Sequence, residues 1–213
     1  MRGGWMLLAL VLVGCEVTRQ ERVRAYTDDG VELFQKGDYR DARESFQAAL
    51  ALKPNDPSLL YNRGECYDRL NAVAQAEQDY RGCLKLVPNH GPCRHALVAL
   101  LARTKREPEA QALVNDWIDK EPKSAAAYAE DGYLLRTRGD LPRAQARIQQ
   151  ALDLDPHDER ALTEMALTYE ALNRNDRALA LYEKILERKP GEAPVVDRVN
   201  FLLAKGAKEP RPD

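Results

Sequence analysis

The sequence predicts an all-α chain, a solenoid of five helix pairs closed by a C-terminal capping helix, and three observations carry that expectation. Ala, Leu, Arg and Glu dominate while aromatics are only 7%, and the dominant residues lose little side-chain freedom in a helical turn. Prolines recur at Pro54, Pro88, Pro122, Pro156 and Pro190, always 34 residues apart. Ala42, Ala76, Ala110, Ala144 and Ala178 keep the same period, and a fixed period of this length is the signature of stacked helical units. Hydrophobic residues make up 44% of the chain, enough to bury a core.

Ahead of the repeats, Trp5 to Val13 is an uninterrupted apolar run of nine residues. At the helical rise it covers about 14 Å, half of what a spanning helix must cross, so residues 1–14 are expected to be a signal peptide. Leu12-Val13-Gly14-Cys15 at its end resembles the lipobox of bacterial lipoproteins. The resemblance implies a lipid attached to Cys15, a lipidated linker over residues 15–22, and a membrane contact made through that anchor only. Glu16 stands where an Asp marks retention at the inner membrane, which implies the outer membrane, facing the periplasm.

Counting back from each proline sets the repeats at residues 23–56, 57–90, 91–124, 125–158 and 159–192. In this frame the chain resembles the tetratricopeptide-repeat family. The second repeat carries Leu60, Gly64, Tyr67, Ala76, Tyr80, Cys83 and Pro88 at the family positions, and the first carries Tyr26, Gly30, Leu33, Ala42, Phe46, Ala49 and Pro54. The fourth has Tyr128, Gly132, Leu135, Ala144, Ile148, Ala151 and Pro156. The fifth keeps Ala178, Tyr182 and Pro190 with Leu167 taken as its glycine position, and the third diverges most, with Arg94, Val98 and Trp117. The resemblance implies a right-handed α-solenoid.

Small residues such as Gly64 and Ala76 belong where two helices approach, and Tyr67 and Tyr80 fill the space beside them. One repeat cannot bury its own apolar face, so the last needs a cover. A capping helix over residues 193–205 supplies it, with Val195, Val196, Val199, Leu202 and Leu203 as its apolar stripe, and residues 206–213 are expected to be a disordered tail.

Catalysis finds little support. The chain shows no P-loop, no G-x-S-x-G and no H-E-x-x-H. Cys83, His90, Cys93 and His95 match no paired metal-ligand spacing, so neither metal nor cofactor is expected. The Glu65 and Asp68 pair reads as a solvated face. With 32 Lys and Arg against 34 Asp and Glu there is no basic surplus for nucleic acid.

The function expected is therefore protein binding. In the family the first helices line a concave groove, and the groove positions fall here on Phe34, Gln35, Tyr61, Glu65, Asp68, Arg69, His95, Arg103, Tyr133 and Arg136. Aromatics beside arginines are the composition of binding hot spots, which makes Tyr61 and Tyr133 the preferred anchors for a peptide or helix. Thr27 and Val31 replace the Lys and Asn with which chaperone-binding members grip a terminal carboxylate. Small lipoproteins of this build resemble pilotins for pili and secretins, with adaptors for cell-wall synthesis or degradation enzymes as the alternative. In an oxidising compartment Cys83 and Cys93, on either side of an inter-repeat turn, can form a disulfide; the alternatives are a Cys66 to Cys93 bond, or Cys83 as a buried thiol in a small-residue position.

Overall fold

Every recurring proline sits two residues beyond a helix end. A computed structural model describes residues 4–208, with side chains from residue 18 onward. Its helices are α1 (Gly4–Lys36), α2 (Tyr39–Leu52), α3 (Pro57–Arg69), α4 (Val73–Leu86), α5 (Gly91–Arg103), α6 (Glu107–Lys120), α7 (Ala125–Thr137), α8 (Leu141–Leu154), α9 (Glu159–Ala171), α10 (Asn175–Arg188) and α11 (Ala193–Ala204). No strand occurs among the described residues, so the class is the all-α one expected.

The residue before each proline, Lys53, Val87, Glu121, Asp155 or Lys189, leaves the helical region, with φ between −130° and −140°. Clash with the proline ring excludes the α conformation there. Inside each repeat the turn contains a left-handed residue, Gly37, Asn71, Lys105, Gly139 or Asn173, again at the 34-residue spacing. Glycine and asparagine accept that conformation at little cost; Lys105, at φ 61°, does not. Asp56, Asp140 and Asp158 cap α3, α8 and α9 by accepting backbone N–H groups.

Two compact units make up the chain, Met1–Leu100 and Leu101–Asp213. In the first, α1 packs on α2 and α3 on α4, with α2 also against α3. Its core gathers Ala42, Phe46, Ala49, Leu50, Leu59 and Cys66. In the second, α7 pairs with α8 and α9 with α10, and α11 covers α10. One core there centres on Ala144, Ile148, Ala151 and Met165, a second on Ala166, Leu179, Tyr182, Val195 and Leu202.

The close approaches fall on the glycines. A methyl group on Gly30 would lie 2.7 Å from the Phe46 ring, and one on Gly64 would lie 2.7 Å from the Tyr80 ring. Gly132 stands in the same relation to Ile148. In each case the large residue follows the glycine by 16 positions. That register corrects the reading of the fifth repeat: the residue 16 before Tyr182 is the fully buried Ala166, and Leu167 lies one position off.

Three further expectations are amended. Residues 15–22, read as a linker, are part of α1, and Arg19 on that stretch donates to the Leu52 carbonyl. Leu203 is 48% exposed and stands outside the stripe that buries Val195 and Leu202. Of the expected tail, Ala207 is buried and the Lys208 N–H donates to Asp176 Oδ1 at 2.8 Å; residues 209–213 lie outside the described residues. The side chain of Cys15 also lies outside them. Among the described residues no helix is long and apolar enough to cross a membrane.

Candidate binding site

Within the first unit, α1 and α3 bring several of the groove candidates together. Val31, Phe34, Gln35, Tyr61 and Glu65 line one pocket of about 190 Å³, with Asn62 and the buried Phe46. The spacing explains why. Phe34 and Gln35 end α1 while Tyr61 and Glu65 are one turn apart on α3, so each helix turns one face inward. Val31 is a large apolar residue left 38% exposed at this pocket. Arg69 sets its guanidinium 5.7 Å from the Phe34 ring and 5.9 Å from that of Tyr39, and the two rings meet edge to face at 5.1 Å.

Tyr61 is half-buried and packs on Tyr80 at 6.3 Å and on His90 at 6.0 Å. Burial, reinforced by the Glu65 carboxylate, pushes its phenol up to about 12. Glu65 itself corrects the solvated-face reading, because it is half-buried and accepts the Tyr80 hydroxyl at 2.6 Å.

The second unit holds Tyr133 between two guanidinium groups, those of Arg136 at 5.7 Å and Arg160 at 5.1 Å. Arg136 donates to Glu164 Oε2 at 2.7 Å, while Arg160 reaches Glu130 at 3.1 Å and Glu164 at 3.2 Å. Both carboxylates are buried. Arg136, expected to meet a partner, is thus committed to an internal ion pair. On α5, His95 is half-buried and Arg103 exposed.

What the sequence reading missed is this set of ion pairs, each with its carboxylate buried or nearly so. Arg63 grips Asp79 with two donors, at 2.7 and 2.5 Å. Arg147 holds Asp131 at 2.7 Å, and Arg198 holds Glu170 with two donors, at 2.7 and 2.5 Å. A signal was available: Arg63 and Asp79, like Asp131 and Arg147, are 16 residues apart, the register of Gly64 and Tyr80.

Three cysteines of the repeats divide into a bonded pair and one thiol. Cys83 near the end of α4 is bonded to Cys93 in the first turn of α5, with α-carbons 6.6 Å apart. Cys66 is a buried free thiol, pushed up to about 12 by desolvation, with Glu65 adding to the shift.

Tetratricopeptide-repeat family models match residues 28–90 and 135–198. A solved structure, that of TTC0263 from Thermus thermophilus, superposes with a TM-score of 0.65 at 25% identity, covering 85% of this chain and 99% of that one. That of pilF from Pseudomonas aeruginosa gives 0.56 at 16% identity over 88% and 90% of the two chains, a likeness of fold alone. The human protein named O-mannosyl-transferase TMTC3 is 25% identical over 192 residues, 88% of this chain; those residues span only 20% of its length. With the two matched stretches together covering more than half of the chain, the chain belongs to the tetratricopeptide-repeat family.

Proposed function

We propose that this chain is a lipid-anchored scaffold of the bacterial envelope that binds a protein partner and takes part in assembling a pilus, a secretin or a comparable envelope complex. The observation that carries the binding reading is the pocket of Val31, Phe34, Gln35, Tyr61 and Glu65, an apolar recess with a carboxylate at one edge. Arg69 lies beside it over Phe34. Such a recess suits one large apolar side chain of a peptide or helix, with a neighbouring cationic or amide group for Glu65. The anchor reading rests on Leu12-Val13-Gly14-Cys15 at the end of an apolar run. Buried carboxylates at Asp79, Glu130, Asp131 and Glu164 are each matched by an arginine, which supports a structural rather than a catalytic use of them.

Two arms test the proposal. Cys15→Ala should abolish incorporation of labelled palmitate and release the protein from the membrane fraction; a mutant that stays in that fraction refutes the anchor. A photo-crosslinker in place of the exposed Gln35 should join the chain to one envelope protein. Adding Val31→Ser should remove that adduct without moving the circular-dichroism melt, and an adduct that survives refutes the pocket.

A further inference from the structure

We propose that, when its disulfide is reduced, the chain binds one thiophilic divalent cation of the zinc class through Cys83, His90 and Cys93. The inference needs neither the envelope address nor the peptide pocket. Sulfur and imidazole donors of these residues all lie within 4.8 Å of one another. The sequence hides this, because their spacing resembles no paired-ligand motif; the turn between α4 and α5 folds them onto one point. His95, the fourth residue considered with them, is not in the group.

Zinc takes thiolate at about 2.3 Å and imidazole at about 2.0 Å in a tetrahedron, which places its ligand atoms about 3.5 to 3.8 Å apart. The bonded sulfurs must therefore separate. Side-chain rotation supplies the movement with the α-carbons held at 6.6 Å. His90 already turns Nδ1 toward Cys93, where it accepts the Cys93 N–H at 3.2 Å. That nitrogen has one lone pair, so a cation bound at Nδ1 takes the place of this long hydrogen bond from the Cys93 N–H. The Tyr61 ring at 6.0 Å holds the imidazole from one side. Cys83 and Cys93 are fully buried while His90 is half-buried, so a dication would neutralise two shielded thiolates with solvent access on the imidazole side.

The balance closes with a dithiol as reductant. The dithiol gives two electrons and two protons to the Cys83–Cys93 bond and leaves as its own disulfide. Each thiol then loses its proton to solvent as the dication enters, so two charges arrive and two protons depart. Three protein ligands leave the fourth position to a solvent water.

The full chain carrying Cys15→Ser and Cys66→Ala keeps only these two thiols and is the material to test. Reduced with a dithiol, desalted without oxygen and titrated with Co²⁺, it should bind one ion per chain, with a thiolate-to-cobalt charge-transfer band that Zn²⁺ abolishes. The oxidised chain should give no band. His90→Ala and His90→Gln, each checked for native helicity, should weaken binding by more than the 10- to 100-fold that an outer-shell change costs. A reduced chain that gives no band, or His90 variants that bind like the parent, overturns the site.

Discussion

Alanine in place of glycine should have opposite effects at two positions of one repeat, Gly64 and Gly82. Each lies inside a helix, where the change gains about 1 kcal/mol in propensity. At Gly82 the new methyl meets nothing nearer than the Leu60 side chain at 3.6 Å, an ordinary contact. Gly82→Ala should therefore stabilise the chain by about 0.5 to 1 kcal/mol. At Gly64 the methyl would stand 2.7 and 2.9 Å from two atoms of the Tyr80 ring and 3.3 Å from Asp79 Cβ. Neither neighbour yields easily. Tyr80 is fully buried with its hydroxyl fixed on Glu65 at 2.6 Å, and Asp79 is gripped by Arg63. Overpacking of that kind costs about 1 to 3 kcal/mol, which offsets or exceeds the propensity gain. The two variants should consequently differ by about 1 to 3 kcal/mol, or roughly 2 to 12 °C in midpoint for a chain of this size. Urea and thermal melts followed by circular dichroism read the difference. A Gly64→Ala protein as stable as Gly82→Ala would refute the close-approach argument.

Two other perturbations test the buried polar groups. Arg63→Ala strands the Asp79 carboxylate in a site where its side chain is 4% exposed, so it should cost about 3 to 5 kcal/mol in a urea melt, and pairing Arg63→Met with Asp79→Leu should restore most of it. Tyr61, pushed up to about 12, should ionise well after exposed tyrosines. A phenolate absorbance titration should lose its step near pH 12 in Tyr61→Phe. Because the folded pKa lies above the unfolded one, the stabilisation is complete below about pH 10 and is lost as pH rises to about 12. Loss of a step near pH 10 instead would place the ring in water.

The repeat positions were legible because they depend on local backbone chemistry. Proline stops a helix whatever surrounds it, and a glycine that admits a ring 16 residues later is a pairwise constraint repeated along the chain. Glu164 was not legible in that way, since an acid outside the 16-residue register looks the same whether it faces water or an arginine. Arg136 shows the limit from the other side. The family pattern puts it on the groove face, whereas its ion-pair partner, Glu164, is 28 residues away on α9. Glu65 shows the same limit: in sequence its neighbour is Asp68, whereas its hydrogen bond comes from Tyr80 on the next helix.

The ion pairs bear on how a chain of similar repeats keeps its order. Within the second repeat the first helix offers Arg63 to Asp79 of the second helix; in the fourth, the same two positions are exchanged, Asp131 facing Arg147. Between successive repeats the exchange recurs, with Arg136 to Glu164 followed by Glu170 to Arg198. Were α3 to take α8 as its mate during folding, arginine would meet arginine, and α7 with α4 would bury two carboxylates together. The second error leaves two unpaired carboxylates in the interior, at several kcal/mol, whereas the first sets together two arginines, one of them well exposed, and costs less. The alternation of sign thus acts as an address on α3, α4, α7 and α8, telling apart helices that their glycines, alanines and prolines make alike.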